Sequence, residues 1–258
     1  MKNLIVCFLF FLVFSSFSFG LYKVPSPNPL PTKEVRFDSY LKDSGSLVAE
    51  ETLTFQKQET KKGSFLVLNS KIKTKDKDGK YFYSTNQANY LIEDGALSSA
   101  SQTTKIDKES ASYQDLSLKF DWAKNKAVFS KKDYVANENS SKTIKLTPKT
   151  MTARGSTFYL QHMIANKIKK DQIKMIVPNG ATYDMNVSIN FSPKVLKVSG
   201  KMISCYKVSM KPNIGFLSMA LPEMTFWFAE EAPYSFIRYE GLERGPGSPE
   251  IIQEIVNL

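Results

Sequence analysis

The chain has 258 residues, 42% of them hydrophobic, and a formal net charge of +10 at pH 7. This length suits one large β domain or two small ones, and it is enough to bury a core without disulfides. A single histidine, His162, excludes metal sites built from several histidines, and the lysines are scattered rather than gathered in a basic block, which indicates solvated strand faces.

The first segment, residues 1–20, has the pattern of a cleavable secretion signal. Lys2 supplies a positive charge, residues 4–14 are an apolar run, and small residues precede the expected cleavage after Gly20. The run is short for an uncleaved membrane anchor, and Cys7 lies too early for a lipoprotein signal. The sequence therefore predicts export, with no transmembrane segment in the mature chain.

The next segment, residues 21–34, is a proline-rich leader, and we expect a single antiparallel β domain over residues 35–258. Within the domain, residues 116–122 and 183–191 alternate between apolar and polar side chains, as half-buried strands do. Turn signals such as Asn179-Gly180 separate these runs. Strands joined by such short turns are expected to be antiparallel neighbours.

One segment departs from this alternation. Ser156 is a candidate N-cap, and Leu160, Ile164 and Ile168 recur every four residues, which predicts an amphipathic helix over about residues 156–169. Three lysines fall in its expected last turn, where the helix dipole favours cations: Lys167, Lys169 and Lys170.

The predicted fold class is mainly β. A long antiparallel meander with one solvated face manages its edges most simply by rolling up. We therefore expect a barrel or half-barrel with the helix covering or plugging it, and a two-sheet sandwich is the alternative.

The sequence shows no recognisable catalytic set. His162 lies alone on the expected helix, where a packed or surface role is more common than catalysis. The acidic pair Glu230 and Glu231 fits a solvated turn, and residues 76–79 fit a hairpin turn better than a calcium loop. Cys205, the only cysteine after the signal, fits a packed thiol. We expect no enzymatic activity, no metal and no cofactor.

Four aromatic residues follow the cation Lys80 in the sequence: Tyr81, Phe82, Tyr83 and Tyr90. Such a pattern occurs in single-strand nucleic-acid binding, but cross-strand aromatic packing accounts for it equally well. Because an exported protein rarely meets nucleic acid, we expect no such partner.

The strongest apolar signal is a run of methionines and aromatic residues near the C-terminus. An ordinary core explains it, and the alternative is a barrel lumen that holds an acyl chain or another apolar ligand. The candidate lining residues are Met202, Met210, Met219, Met224, Phe226 and Phe228.

A second candidate site is the surface run Arg238, Tyr239 and Glu240, followed by a turn rich in glycine and proline. Charged residues beside such a turn are well placed for recognition of a partner. The structural alternative is that Arg238 and Glu240 pair with charges across the sheet and stabilise the closing strands.

Several segments of the C-terminal half follow the order of a known exported bacterial family: Phe120-Asp121-Trp122, residues 156–166, Pro178-Asn179-Gly180, Cys205-Tyr206-Lys207-Val208 and the closing run from Phe226 to Glu250. The chain resembles the domain of unknown function 3108 family, well over residues 115–258 and loosely over residues 35–114, with a longer stretch near residues 130–149. The resemblance implies a periplasmic protein of a Gram-negative bacterium with an antiparallel, barrel-like fold. That family has no established activity, so no site residue is carried over.

Two hypotheses of function follow. The first is a non-enzymatic periplasmic β domain that binds or carries an apolar or amphiphilic molecule, such as an envelope lipid. The second is a structural or interaction protein of the envelope, with a packed core and a basic surface that binds an envelope protein or an anionic polymer. A solvent-reachable apolar cavity inside the sheet would favour the first.

Overall fold

The computed structural model describes residues 34–75, 79–109, 111–213, 223–243 and 248–257. The predicted signal of residues 1–20 and the leader up to residue 33 lie outside these ranges and stay predictions. One helix, α1 (Ala153–Ala165), is described. The described strands are β1 (Val35–Leu41), β2 (Leu47–Thr60), β3 (Gly63–Lys75), β4 (Tyr81–Glu93), β5 (Ala96–Lys108), β6 (Ala111–Asp121), β7 (Lys126–Asp133), β8 (Glu138–Lys145), β9 (Thr150–Thr152), β10 (Lys170–Ile176), β11 (Thr182–Val198), β12 (Lys201–Pro212), β13 (Met224–Ala229), β14 (Phe236–Leu242) and β15 (Glu250–Ile255).

The described strands form one sheet in the order β8-β7-β6-β5-β4-β3-β2-β1-β15-β14-β13-β12-β11-β10-β9. Strand β1 pairs with β15, so the first and last strands meet in the middle of the sheet. All pairs are antiparallel except β9 with β10. The predicted antiparallel meander with one helix is confirmed. A single sheet rules out the sandwich.

The two ends of the sheet approach each other without pairing. Leu118 of β6, Phe129 of β7 and Ile144 of β8 form a small core with Ile176 of β10. A Cβ atom at Gly180, in the turn after β10, would lie 2.6 Å from the Phe129 ring, and the φ angle of Gly180 is +74°. Glycine suits this position because it has no Cβ and tolerates positive φ. The sheet is therefore a half-barrel that is open along one seam.

Strand β11 shows how alternation assigns side chains to the two faces. Met185, Val187 and Ile189 are buried, while Tyr183, which has the same parity, is exposed near the start of the strand. The pairing register with β12 shifts between Asn190 and Lys194. This irregularity changes which parity is buried further along the strand, as a β-bulge does.

The helix begins earlier than predicted. Thr152, not Ser156, is the N-cap, because its side chain accepts a hydrogen bond from the Gly155 backbone N–H at 3.0 Å. Ser156 is buried inside the helix, where its hydroxyl donates to the Ala153 carbonyl. The helix ends at Ala165, so the three lysines expected in its last turn lie beyond it, and Lys170 begins β10. Positive φ at Lys167 accompanies this ending.

The inner face of the half-barrel packs around α1. The helix buries Gly155, Ser156, Phe158, Tyr159, Leu160, Met163 and Ile164. Its apolar residues share one core with residues from both halves of the sheet, among them Phe37, Leu53, Leu66, Tyr90, Ile173, Met185, Val208 and Phe228. The predicted role of the helix as a plug follows from this burial.

Candidate functional site

The first notable feature of the interior is a buried ion pair between α1 and the sheet. Glu51 of β2 is 8% exposed, and one of its carboxylate oxygens accepts a hydrogen bond from Nη2 of Arg154, in the first turn of α1. The other oxygen accepts one from Nε2 of Gln253 on β15, at 3.2 Å. Because both oxygens have partners, the carboxylate is compensated for its loss of water. The cluster ties the helix to two neighbouring regions of the sheet.

Tyr90 of β4 lies beside the start of the same helix. Its ring contacts the Phe158 ring edge-on, with centroids 5.2 Å apart. Burial raises the pKa of Tyr90 to about 12, against the opposing effects of Thr152 and Arg154. The phenol is therefore neutral at physiological pH, and its ring serves mainly as part of the core.

A small cavity lies between α1 and strands β4 and β5. It is lined by Tyr90, Leu97, Ser99, Met151, Gly155, Phe158 and Tyr159. Its volume of about 10 Å³ is enough for roughly one water molecule. This cavity is too small to hold an acyl chain.

A second polar cluster joins α1 to β10. Tyr159 donates a hydrogen bond to Asp171 of β10, and the Lys149 ammonium pairs with the same carboxylate. Burial opposes ionisation of Asp171, but the hydrogen bonds from Lys149, Tyr159 and the Gln172 backbone outweigh it and lower its pKa. Burial, with the hydrogen bond to Asp171, raises the pKa of Tyr159. The cluster is a negative charge that accepts hydrogen bonds from two side chains and one backbone N–H.

The six candidate lining residues do not share one surface. Met210 and Phe228 are fully buried in the core, and Met224 and Phe226 are partly buried beside them. Met202 is 69% exposed, so it cannot line an interior lumen. Met219 lies outside the described residues. Met210, Met224, Phe226 and Phe228 fit the interpretation as an ordinary core, whereas Met202 is exposed near the start of β12.

The run Arg238, Tyr239 and Glu240 lies on β14. Nη2 of Arg238 is 2.6 Å from Oε1 of Glu254 on β15, and the indole N–H of Trp227 donates to Glu240 at 3.1 Å. The Tyr239 hydroxyl donates to the Leu242 carbonyl, and burial raises its pKa to about 12. All three side chains have partners within the sheet, and their role in recognition stays a prediction.

His162 and Cys205 have ordinary packed environments. Burial lowers the pKa of His162, whose Nδ1 lies 3.1 Å from the side-chain amide of Asn166. Cys205 is a free, fully buried thiol, and burial raises its pKa to about 11. A thiol in this state is a poor nucleophile.

Sequence reasoning missed both polar clusters that join α1 to the sheet. Arg154 and Glu51 are 103 positions apart, so no local motif joins them. One signal was present: Glu51 shares its parity with the apolar residues Leu53 and Phe55 of the same strand. A carboxylate on the apolar face of a strand requires a partner of opposite charge or several donors.

Two further properties concern the described residues. They contain no group of three or more histidine, cysteine, aspartate or glutamate side chains arranged to hold a metal ion. In the same part of the chain, no helix has the length and apolar character needed to cross a bilayer.

This architecture is similar to that of a known protein. A solved structure of a beta-barrel-like protein of domain of unknown function DUF1849 from Brucella abortus is similar, with a TM-score of 0.52, 11% sequence identity, and coverage of 87% of this chain and 95% of the other. At that identity the likeness shows the fold alone. A search of curated proteins finds no match. The family model for "Protein of unknown function (DUF3108)" matches residues 36–249, and the chain therefore belongs to the DUF3108 family.

Proposed function

We propose that this chain is an exported, non-enzymatic interaction protein of the bacterial cell envelope, which acts through its surface around a packed interior. The observation that carries the proposal is the filling of the half-barrel by α1. Leu160, Met163 and Ile164 of the helix are fully buried against the sheet. The adjoining cavity holds about one water molecule.

A carrier function for an acyl chain would require α1 to leave the inner face. Departure of the helix would separate Arg154 from Glu51, and Tyr159 from Asp171. Glu51 would then be a buried carboxylate without its cation, which is costly, whereas Asp171 would keep Lys149 and lose the hydrogen bond from Tyr159. These contacts support the interpretation that α1 is a fixed part of the core and not a plug that leaves to admit a ligand.

Export and the absence of catalysis are parts of the same proposal. Residues 1–20 have the pattern of a cleavable signal, which supports the periplasm of a Gram-negative bacterium as the location. The full sequence has a net charge of +10, of which only Lys2 would be lost with the signal, and this basic balance supports association with anionic components of the envelope.

The first test is fractionation of cells that express the full chain. We expect the processed protein to sediment with the envelope at low salt and to be released at about 0.5 M salt, because surface electrostatic contacts are screened at that ionic strength. A protein that stays in the cytosol, or in the soluble fraction at every salt concentration, would contradict the proposal.

The second test is organic extraction of the purified protein, followed by mass spectrometry. We expect no stoichiometric lipid in the parent or in Met163→Ala, a variant that enlarges the interior by removing a fully buried side chain. A carrier would retain lipid in the parent, and more in the enlarged variant. Stoichiometric lipid in the parent would overturn the proposal.

A further inference from the structure

The outer face of strands β3 to β7 carries a row of lysines. Across this face, Lys71 pairs in register with Thr85, Thr85 with Lys105, Lys105 with Asp115, and Asp115 with Lys132. Side chains of directly opposed residues lie on the same face of a sheet. The three lysines occupy alternate strands, so about 10 Å separates each from the next.

These lysines point away from the core. Ser70, the neighbour of Lys71 in β3, is buried on the inner face and accepts a hydrogen bond from the Asn86 side-chain amide. Alternation along the strand therefore places Lys71 outside, where it is exposed. Lys105 and Lys132 are exposed as well.

Two exposed tyrosines extend the same face. Tyr83 pairs in register with Lys73, and Tyr81 pairs with Lys75. The rings of Tyr81 and Tyr83 have centroids 6.4 Å apart, and Nζ of Lys73 lies 4.6 Å from the centre of the Tyr81 ring. Both tyrosines remain exposed, so their rings are available to a ligand.

Two carboxylates lie beside the lysines of this face: Glu50 is 3.6 Å from Nζ of Lys73, and Asp115 is opposed in register to Lys105 and to Lys132. Asp115 accepts a hydrogen bond from the Tyr134 hydroxyl at 2.8 Å. Neither Lys71 nor Lys105 forms an ion pair with any described residue. Along these register rows, Lys71, Lys73, Lys75, Lys105 and Lys132 outnumber Glu50, Asp107 and Asp115, so a positive surplus remains that suits an anionic partner.

Beside the lysines runs a row of uncharged polar residues. Each strand from β3 to β8 contributes one residue in register: Asn69, Gln87, Thr103, Ser117, Ser130 and Ser141. Their hydroxyl and amide groups can both donate and accept hydrogen bonds. A partner rich in hydroxyl groups is suited to this row.

We infer that the outer lysine face, defined as Lys71, Lys73, Lys105, Lys132, Tyr81 and Tyr83, binds an acidic polysaccharide. Lysines on alternate strands meet its carboxylate or phosphate groups, and the tyrosine rings pack against the C–H faces of its sugars. A membrane surface would require protruding aliphatic side chains, which these six positions do not offer. The inference rests on the proposed function and names its surface and its partner class.

The test is binding of a fluorescently labelled polygalacturonate oligomer, measured by anisotropy with the purified protein. The triple variant Lys71→Ser, Lys105→Ser and Lys132→Ser should weaken binding about tenfold or more. The matched control changes three exposed lysines outside this face: Lys169→Ser, Lys194→Ser and Lys197→Ser. It changes the net charge equally and should alter affinity less than threefold.

A variant without a charge change separates stacking from electrostatics. Tyr83→Ala should weaken binding several-fold while the melting temperature stays close to that of the parent, because its side chain is exposed. Neutral dextran of similar length should not bind. Equal losses in the two triple variants, or an unchanged affinity in Tyr83→Ala, would overturn the inference.

Other partners give distinguishable results. Binding to vesicles with anionic lipid, or to single-stranded DNA, through the same lysines and without binding to polygalacturonate would overturn the inference. If the protein is lipid-free and sediments with the envelope, the proposed function survives that failure. If it carries stoichiometric lipid, the proposed function fails whatever the result with the polysaccharide.

Discussion

Glu50 and Glu51 are consecutive residues of β2, and they lie on opposite faces of the sheet. Glu50 is on the outer face, where its side chain is 54% exposed and its carboxylate lies 3.6 Å from Nζ of Lys73. Glu51 is on the inner face and bonds to Arg154 and Gln253. If Lys73 is removed, water can still solvate the Glu50 carboxylate. If Arg154 is removed, the buried Glu51 carboxylate has no comparable solvation. Loss of the cationic partner is therefore expected to cost more stability for Glu51 than for Glu50.

The same contrast extends to apolar side chains. Phe228 is fully buried on the inner face, beside the Phe236 ring at a centroid distance of 5.7 Å. Met202, from the same sequence cluster, is largely exposed. Buried side chains of the inner face are therefore expected to contribute more to stability than exposed side chains such as Met202. Three experiments can break or sharpen this comparison.

The largest effect is expected for Phe228→Ala. Truncation of a fully buried aromatic side chain should lower the free energy of unfolding by about 3–5 kcal/mol. Met202→Ala should change it by no more than about 0.5 kcal/mol, because little apolar area is lost. Urea denaturation followed by circular dichroism measures both. Similar losses in the two variants would show that Met202 is buried in solution.

The next largest effect is expected for Arg154→Met. Loss of the guanidinium leaves Glu51 in the interior without its cation, which should cost about 3 kcal/mol. The matched outer-face variant, Lys73→Met, should cost less than about 1 kcal/mol. Adding Glu51→Leu to Arg154→Met should restore most of the stability. Equal costs for Arg154→Met and Lys73→Met in urea denaturation would contradict the assignment of Glu51 to the interior.

The smallest effect is expected in the free energy of unfolding at acidic pH. The folded state lowers the pKa of Asp171 below its usual value of 3.8, so this carboxylate stabilises the fold above pH 3.8. The contribution, about 1.5–3 kcal/mol for hydrogen bonds to a charged group, is lost as the pH falls through the folded pKa. Asp171→Asn should be less stable than the parent at pH 7, and the difference should shrink as the pH falls below 3.8.

Urea midpoints at pH 7, 4 and 2 measure this difference. Tyr159→Phe serves as a partial control because it removes one of the two side-chain donors to Asp171 and keeps the ring. A constant difference between parent and Asp171→Asn across this range would show that the carboxylate titrates alike in both states.

Much of the β architecture could be predicted from the sequence because its signals are local. The alternation through Met185, Val187 and Ile189 assigned side chains to the inner face correctly. The helix was found from its four-residue spacing, but its start was displaced, because Thr152 and Ser156 are both acceptable caps by type. Only the backbone geometry, with Gly155 donating to Thr152, distinguishes them.

The candidate site was less predictable. Methionines close in sequence, such as Met202 and Met210, were assigned to one candidate lining, and the sheet places them in different environments. The parity of a residue tells which side of a strand it lies on, but not whether another element covers that part of the face. The outer lysine row was equally hidden, because register across five strands, not sequence spacing, aligns Lys71, Lys105 and Lys132.

By itself, the amino-acid sequence determined the strand type, the turns, the presence of one amphipathic helix and the apolar inner parity, because backbone period and turn chemistry depend on neighbouring residues. The tertiary structure alone decided that α1 fills the half-barrel and that the sheet stays open along one seam. It also decided that Arg154 meets Glu51. These outcomes depend on contacts between residues far apart in the chain, whose geometry is set by the curvature and register of the whole sheet.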